Sequence, residues 1–369
     1  MPQLHFDDGD GTLEMLRDSV AALAAHHPGA ASLRARREAG ADMDRELWGA
    51  MAEAGWTGLM LSEALGGSGL GPREQAVLSE ALGRALICEP VAGSAVFLST
   101  LFNGAPDNAE GARLASGLAD GSLIVARAWR NGTVQARADG DGFTLSGAVA
   151  HVDQAQGATD FLVMGQCEGG PAFFSVPAGI SGLGLDLQRS VDGALLGTLR
   201  LDGCHVPATG LVIGPDICAP LLERAVAATR LALAAELAGI AAQALQATID
   251  YTTTRIQFGK PIASFQAIQH RLVDMWSDAE LAFAAVNNAV EEAEAGEGRA
   301  AALAILAAKA RAGDAAVSIC RRAVHLHGAM GFTDECDIGL FLKRAISLNA
   351  MLGQPEELRL AFVNLERAA

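Results

Sequence analysis

The chain has no uninterrupted apolar run of about 18 residues, the length a bilayer span requires. Its most apolar stretch, 225–245, is broken by Arg230, Glu236 and Gln243, so no membrane span is expected. The opening MPQLHFDDGDG lacks both the basic segment and the apolar core of a secretory signal, and a cytoplasmic location is the default. Cysteines are few and scattered: Cys88, Cys167, Cys204, Cys218, Cys320 and Cys336 form no CxxC pair. Such spacing argues against a metal cluster and against a small disulfide framework, leaving buried thiols. Basic residues are outnumbered, 27 Lys and Arg against 43 Asp and Glu, and the net charge of −16 excludes nucleic acid as the expected partner. An anionic cofactor stays compatible with this balance if a few cations are placed locally.

What is present is a large apolar reserve. Half of the 369 residues are hydrophobic and 19% are charged, enough to bury two or three cores of roughly 100–200 residues each. Alanine supplies much of that reserve and is the best helix former, so a mainly α protein is expected. From 12 to about 118, apolar residues recur at helical spacing, as in Leu13, Leu16, Val20, Leu23 and Ala24. Pro72 suits the first position of a helix whose apolar face is Val77, Leu78, Leu82 and Leu86. The pattern then changes to short alternating runs, GFTLSGAVAHV, TDFLVMG, PAFFSV and GTLRLDGCHV, punctuated by Gly, Pro and Asp. These read as antiparallel strands of a small barrel or sandwich. Long helices are expected again over 221–254, 264–295, 299–326, 335–351 and 356–367, and their short connections point to a four-helix bundle. The expected organisation is a helical domain at 1–121, a central β-domain at 122–215 and a helical bundle at 216–369.

Two segments carry candidate chemistry. In YTTTRIQFGKPIASFQAIQHRLVDM, Arg255 and Phe258 are three apart, which on a helix ending here would place them on one face of the last turn. Gly259 can end such a helix in a left-handed conformation and Pro261 prevents its continuation. A guanidinium would then stand beside an aromatic ring, and the planar fork fits paired phosphate oxygens. In VHLHGAMGFTDECDIGLFLKRA, Gly328 and Gly331 permit a tight turn and close approach of backbone to a ligand, while His327 reads as a core histidine.

Both segments, with LWGAMAEAGWTGLMLSEALGGSGLGPREQAVLSEALGR and LRLDGCHVPATGLVIG, resemble stretches of the acyl-CoA dehydrogenase family, in the right order over nearly the whole chain. The resemblance implies that family's fold, an N-terminal helical domain, a small β-domain and a C-terminal bundle. It also implies FAD as cofactor and α,β-dehydrogenation of an acyl-CoA thioester. It places Arg255, Phe258 and Gln266 at the FAD of a neighbouring subunit, and His325, Gly328 and Gly331 by the cofactor's adenosine half. Arg230 falls where the family has an arginine near the acyl-CoA; an ion pair with Glu223 or Glu236 is the plainer reading.

The departures from the family pattern matter as much. Family enzymes remove the α-proton with a glutamate while hydride leaves the β-carbon for the flavin. The two positions that supply this glutamate match Leu352 and Thr229 here, and neither can accept the proton. Three explanations stand: a sister chain contributes the base, a nearby carboxylate (Glu236, Glu356 or Glu357) substitutes, or the fold is kept without the reaction. Small subunits of pimeloyl-CoA and steroid-side-chain dehydrogenases look similar at this place. The expected assembly is thus a heteromer with a paralogous subunit or a homo-oligomer. A flavin-dependent oxidase or monooxygenase, needing no such glutamate, is a further alternative. In the strand expected to touch flavin, His151, Val152 and Asp153 replace an aromatic residue and Ile-Thr, and ARAWRNG stands in place of an upstream Thr-Glu-Pro-Gly element. Asp153 would disfavour a reduced flavin unless protonated or turned away. Trp129 could cover part of a flavin or simply sit in the core.

Overall fold

The computed structural model of the chain describes residues 1–368. Helices come first: α1 (Thr12–His26), α2 (Gly29–Ala39), α3 (Arg45–Glu53), α4 (Pro72–Ala85), α5 (Val96–Asn103) and α6 (Ala109–Ala119). Side chains set several of their starts. The Asp44 carboxylate accepts from the N–H groups of Glu46 and Leu47 ahead of α3, Asn108 accepts from Gly111 ahead of α6, and Pro72 opens α4.

The strands follow: β1 (Val125–Ala128), β2 (Gly132–Asp139), β3 (Gly142–Asp153), β4 (Asp160–Cys167), β5 (Gly170–Pro177), β6 (Leu183–Arg189), β7 (Leu195–Pro207) and β8 (Leu211–Ile213). They form one sheet in the order β6–β7–β3–β2–β4–β5–β8, with β1 parallel to β4. Of the two forms expected, the closed barrel is not realised, because β6 and β8 each pair on one side only. The β3–β7 pairing is interrupted by register shifts at 145–147 and 149–152, as β-bulges produce. Leu145, Val149, Phe161, Val163, Phe174 and Leu199 fill that core.

The chain returns to helix in α7 (Pro215–Thr254), α8 (Gln266–Ala295), α9 (Arg299–His327), α10 (Ile338–Ala350) and α11 (Pro355–Arg367), with a two-residue pair of strands, β9 (Ile256–Gln257) and β10 (Lys260–Pro261), after α7. Helix α7 is long and apolar enough to cross a bilayer by length and composition, yet 78% of its most apolar window is buried inside the protein. Apolar residues on all sides of a helix are what such burial requires.

Two compact units can be described. One comprises Met1–Ser32, Pro72–Cys88 and the chain from Arg230 onward; the other comprises Leu33–Gly71 and Glu89–Thr229. In the first, α4 crosses α7 at backbone distance. A Cβ on Gly83 would lie 2.2 Å from the Glu236 carbonyl oxygen, and one on Gly239 would lie 2.1 Å from that of Glu80. The N-terminal strand of chain is held to the same unit: Leu4 N–H donates to the Glu80 carboxylate (3.2 Å), and Arg17 and Arg84 donate to the carbonyls of Leu4 and Pro2.

Glycine-to-alanine changes therefore have opposite expected signs in this protein. Gly239→Ala should destabilise by about 2–3 kcal/mol through backbone overpacking. Gly49→Ala, on α3 with nothing within 4 Å of the added carbon, should stabilise by about 0.5–1 kcal/mol. Urea denaturation of the two variants measures both.

Candidate functional site

Helix α7 ends at Thr254, ahead of the turn in which the motif would place Arg255 and Phe258. The Thr252, Thr253 and Thr254 hydroxyls turn back onto the carbonyls of Ile249 and Asp250 at 2.9 to 3.1 Å, and three consecutive β-branched residues weaken the helix. Arg255 consequently lies outside the helix rather than in its last turn, which corrects the helical-face expectation. It leads into the β9–β10 hairpin, where Gln257 pairs with Lys260 and the two tip residues, Phe258 (φ 54°) and Gly259 (φ 78°), are both left-handed. Two positive φ values at a two-residue tip match the twist of a tight hairpin. The Phe258 ring is 92% exposed and meets Phe265 edge-on at 6.1 Å. The Arg255 side chain is exposed, and Gln266 is the exposed first residue of α8.

The second motif leaves the end of α9. Tyr251, in the last turn of α7, stacks on His327 at 4.4 Å and donates its hydroxyl hydrogen to the His327 carbonyl (3.3 Å). His327 Nδ1 bonds the Ala323 carbonyl at 2.8 Å, so this histidine is a satisfied core residue. These contacts bring the ends of α7 and α9 together, and with them the hairpin bearing Arg255 and Phe258 and the turn bearing Gly328 and Gly331. Gly328 has φ 64°, and a Cβ on buried Gly331 would lie 2.5 Å from the Val324 carbonyl oxygen, so both positions need glycine. His325 is exposed and lines a hollow with Arg271, Asp274, Arg321 and Arg322. Val273 and Trp276 on α8, and Met330 and Phe332 in the glycine turn, are exposed apolar residues.

A second cluster surrounds the place matched to the missing base. Leu352 is 3% exposed with φ 58°, a conformation rare for a bulky residue, and Gly353 follows with φ 116°. Arg230 Nε donates to the Leu352 carbonyl at 2.9 Å. Lys309 on α9 is fully buried, and its Nζ donates to the carbonyls of Leu348 (3.0 Å) and Asn349 (3.3 Å) in the last turn of α10. Burial, and secondarily the Arg230 charge, pushes the Lys309 ammonium down to about 7. Sequence reasoning passed over this lysine, although a cation inside the apolar run AILAAKA is a visible anomaly.

Of the carboxylates considered as substitute bases, Glu236 and Glu357 are committed to other partners. Glu236 is buried and takes both Nε (3.0 Å) and Nη2 (2.7 Å) of Arg344 on one oxygen. Glu357 accepts the Gln354 N–H at 3.1 Å in the capping box of α11, Glu356 is exposed in the same turn, and the buried Thr229 hydroxyl donates to Ala225 O at 2.6 Å.

In the other unit, the residues matched to flavin contacts bond one another. Asp153 pairs with buried Arg127 at 3.2 Å, and the Arg127 guanidinium also lies over Phe97, 5.3 Å from its centroid. Trp129 stacks on Phe97 at 5.2 Å and is half-buried. His151 sits at φ 59° with Nδ1 3.1 Å from Asn131 Nδ2. The Asp153 carboxylate thus faces the Arg127 guanidinium.

The order of helices, central sheet and C-terminal helices is the fold of acyl-CoA dehydrogenases. The family descriptions "Acyl-CoA dehydrogenase, N-terminal domain" and "Acyl-CoA dehydrogenase, C-terminal domain" match residues 11–105 and 220–362. Acyl-CoA dehydrogenase IpdE2 of Mycobacterium tuberculosis is 31% identical over 348 residues, covering 93% of this chain and 94% of that protein. The chain belongs to the acyl-CoA dehydrogenase family, oxidoreductases of lipid metabolism that act on acyl-CoA. Among solved structures it is similar to a Tcur3481–Tcur3483 steroid dehydrogenase variant (TM-score 0.85, 30% identity, 96% of this chain and 98% of that one). It is also similar to the ChsE4–ChsE5 complex of Mycobacterium tuberculosis (TM-score 0.87, 27% identity, 99% of each chain).

The depressed Lys309 value has a direct thermodynamic consequence. Between about pH 7 and 10.5 the unfolded chain holds a proton that the folded chain releases, so this residue makes stability rise with pH across that window. Urea midpoints measured from pH 6.5 to 9.5 should climb for the wild type relative to Lys309→Met; parallel profiles would contradict the burial of a titrating amine.

Proposed function

We propose that this chain is a subunit of an FAD-dependent acyl-CoA dehydrogenase that contributes to a flavin site at a subunit boundary and takes its proton-abstracting carboxylate from a sister chain. The observation that carries the reading is the state of position 352: a buried, left-handed leucine stands where a glutamate is needed. The buried alternative, Glu236, is committed to Arg344, which weighs against a relocated base. Solved relatives described as two-chain complexes are consistent with a sister subunit.

The residues at the α7–α9 end fit the cofactor. Arg255 offers a planar fork to phosphate oxygens and Phe258 a ring face, both on a hairpin whose backbone is fixed by pairing and whose side chains face outward. Gln266 adds an amide, and the Gly328–Gly331 turn lets the main chain come close, with His325 beside it. The exposed apolar residues of α8 and the glycine turn would be covered by the neighbouring subunit. Bound FAD supplies the hydride acceptor. Arg230 would then stand by the acyl-CoA, its guanidinium held in place through Nε on the Leu352 carbonyl. The pocket residues around His151 and Asp153 fit a flavin ring poorly, since the Asp153–Arg127 pair and the Trp129–Phe97 stack occupy them. The flavin held by Arg255 is accordingly assigned to the neighbour.

Absorbance spectroscopy tests the reading. The chain purified with a paralogous subunit should carry flavin that an acyl-CoA bleaches, whereas the chain alone should not support bleaching; equal bleaching by the chain alone would refute it. Arg255→Gln should lower flavin retention of the assembled protein about tenfold while leaving the unfolding of the chain itself nearly unchanged, because the side chain is exposed.

A further inference from the structure

Lys309 is a lysine where packing alone calls for a hydrophobe. It is fully buried, and its ammonium bonds main-chain oxygens of Leu348 and Asn349. A methionine would fill the same space without withdrawing a charge from water. What lysine adds is a set of donors at the carbonyl end of α10, where helix geometry leaves carbonyls without intrahelical partners and the helix dipole favours a cation.

Those donors act on one short segment. Lys309 holds the chain at 348 and 349, Arg230 holds it at 352, and between them Leu352 is kept left-handed at φ 58°. One turn further along α9, Gly313 lets Asn349 come so near that a Cβ there would lie 2.0 Å from its Oδ1. Strain of this kind persists where the surroundings over-determine it.

We propose that Lys309 is a positioning residue for acyl-CoA binding: through Leu348 O and Asn349 O it fixes the turn that carries position 352, and through that turn the Arg230 guanidinium. The inference rests on the reading that places Arg230 beside the thioester. Lys309 touches neither substrate nor cofactor; it acts through the backbone it holds.

The test uses the assembled protein and two probes, octanoyl-CoA and the CoA thioester of a steroid carboxylic acid. Lys309→Gln, Lys309→Met and Lys309→Arg are compared for amide hydrogen exchange over 348–354 and for thioester dissociation constants. Loss of the charged donor should speed exchange in this segment by about tenfold or more and weaken thioester binding by a similar factor. Lys309→Arg, which keeps charge and donors, should recover much of both. Flavin content, set at the distant Arg255 hairpin, should hold steady across the series. Lys309→Gln keeps a donor and similar length, so it carries the comparison if the methionine variant does not fold. Unchanged exchange at 348–354 would overturn the clamp. Faster exchange with wild-type thioester affinity would reduce Lys309 to a purely structural role and overturn the positioning. Failure of the wild-type assembly to bind either thioester would bring down the proposed function as well, whereas binding indifferent to Lys309 brings down this inference alone.

Discussion

The buried ion pair between Glu236 on α7 and Arg344 on α10 sets the geometry on which the rest of the helical unit depends. Both Arg344 donors converge on one carboxylate oxygen, at 3.0 and 2.7 Å, in a region from which water is excluded. Removing one member of such a pair would leave the other as an uncompensated buried charge, so the two helices are coupled strongly. With α10 fixed against α7, the carbonyl end of α10 falls within reach of Arg230 from α7 and Lys309 from α9. The same helix meets α4 backbone to backbone at Gly239 and meets the end of α9 through Tyr251 and His327. One continuous element thus positions both candidate sites.

Charge is distributed with the same economy. The chain carries a net −16, yet cations stand at both candidate sites: Arg255 at the first, Arg230 and Lys309 at the second. Two buried carboxylates are each met by an arginine, Glu236 by Arg344 and Glu89 by Arg36. A buried carboxylate whose oxygens are taken up by an arginine is poorly placed to take a proton from a substrate. That is the physical reason the search for a substitute base inside this chain ends at Glu236.

Much of this was legible in the residues. The helices over 264–295, 299–326 and 356–367 reappear as α8, α9 and α11 with ends shifted by two residues or fewer, because long amphipathic or alanine-rich runs leave little competition. The alternating runs between 122 and 214 became strands for the same reason. The hairpin at 255–261 was misread as a helix end, since the left-handed φ of Phe258 is imposed by pairing of Gln257 with Lys260 and bulky residues do not announce it. Between a barrel and a sandwich the alternating runs do not choose, because closure depends on how strands pair across the sheet, which no single strand encodes.

The sequence by itself determined the family, the helix–sheet–helix order, the cationic and aromatic pair at 255 and 258, and the absence of a glutamate at 352 and 229. Each of these is a matter of residue type at a given place in the chain. Tertiary structure alone decided that Lys309 has no water and only carbonyls for partners, that Glu236 belongs to Arg344, and that Tyr251 and His327 join two motifs separated by some 70 positions. Such pairings arise from side chains far apart along the chain meeting in three dimensions, and periodicity or propensity, being local, carries no record of them.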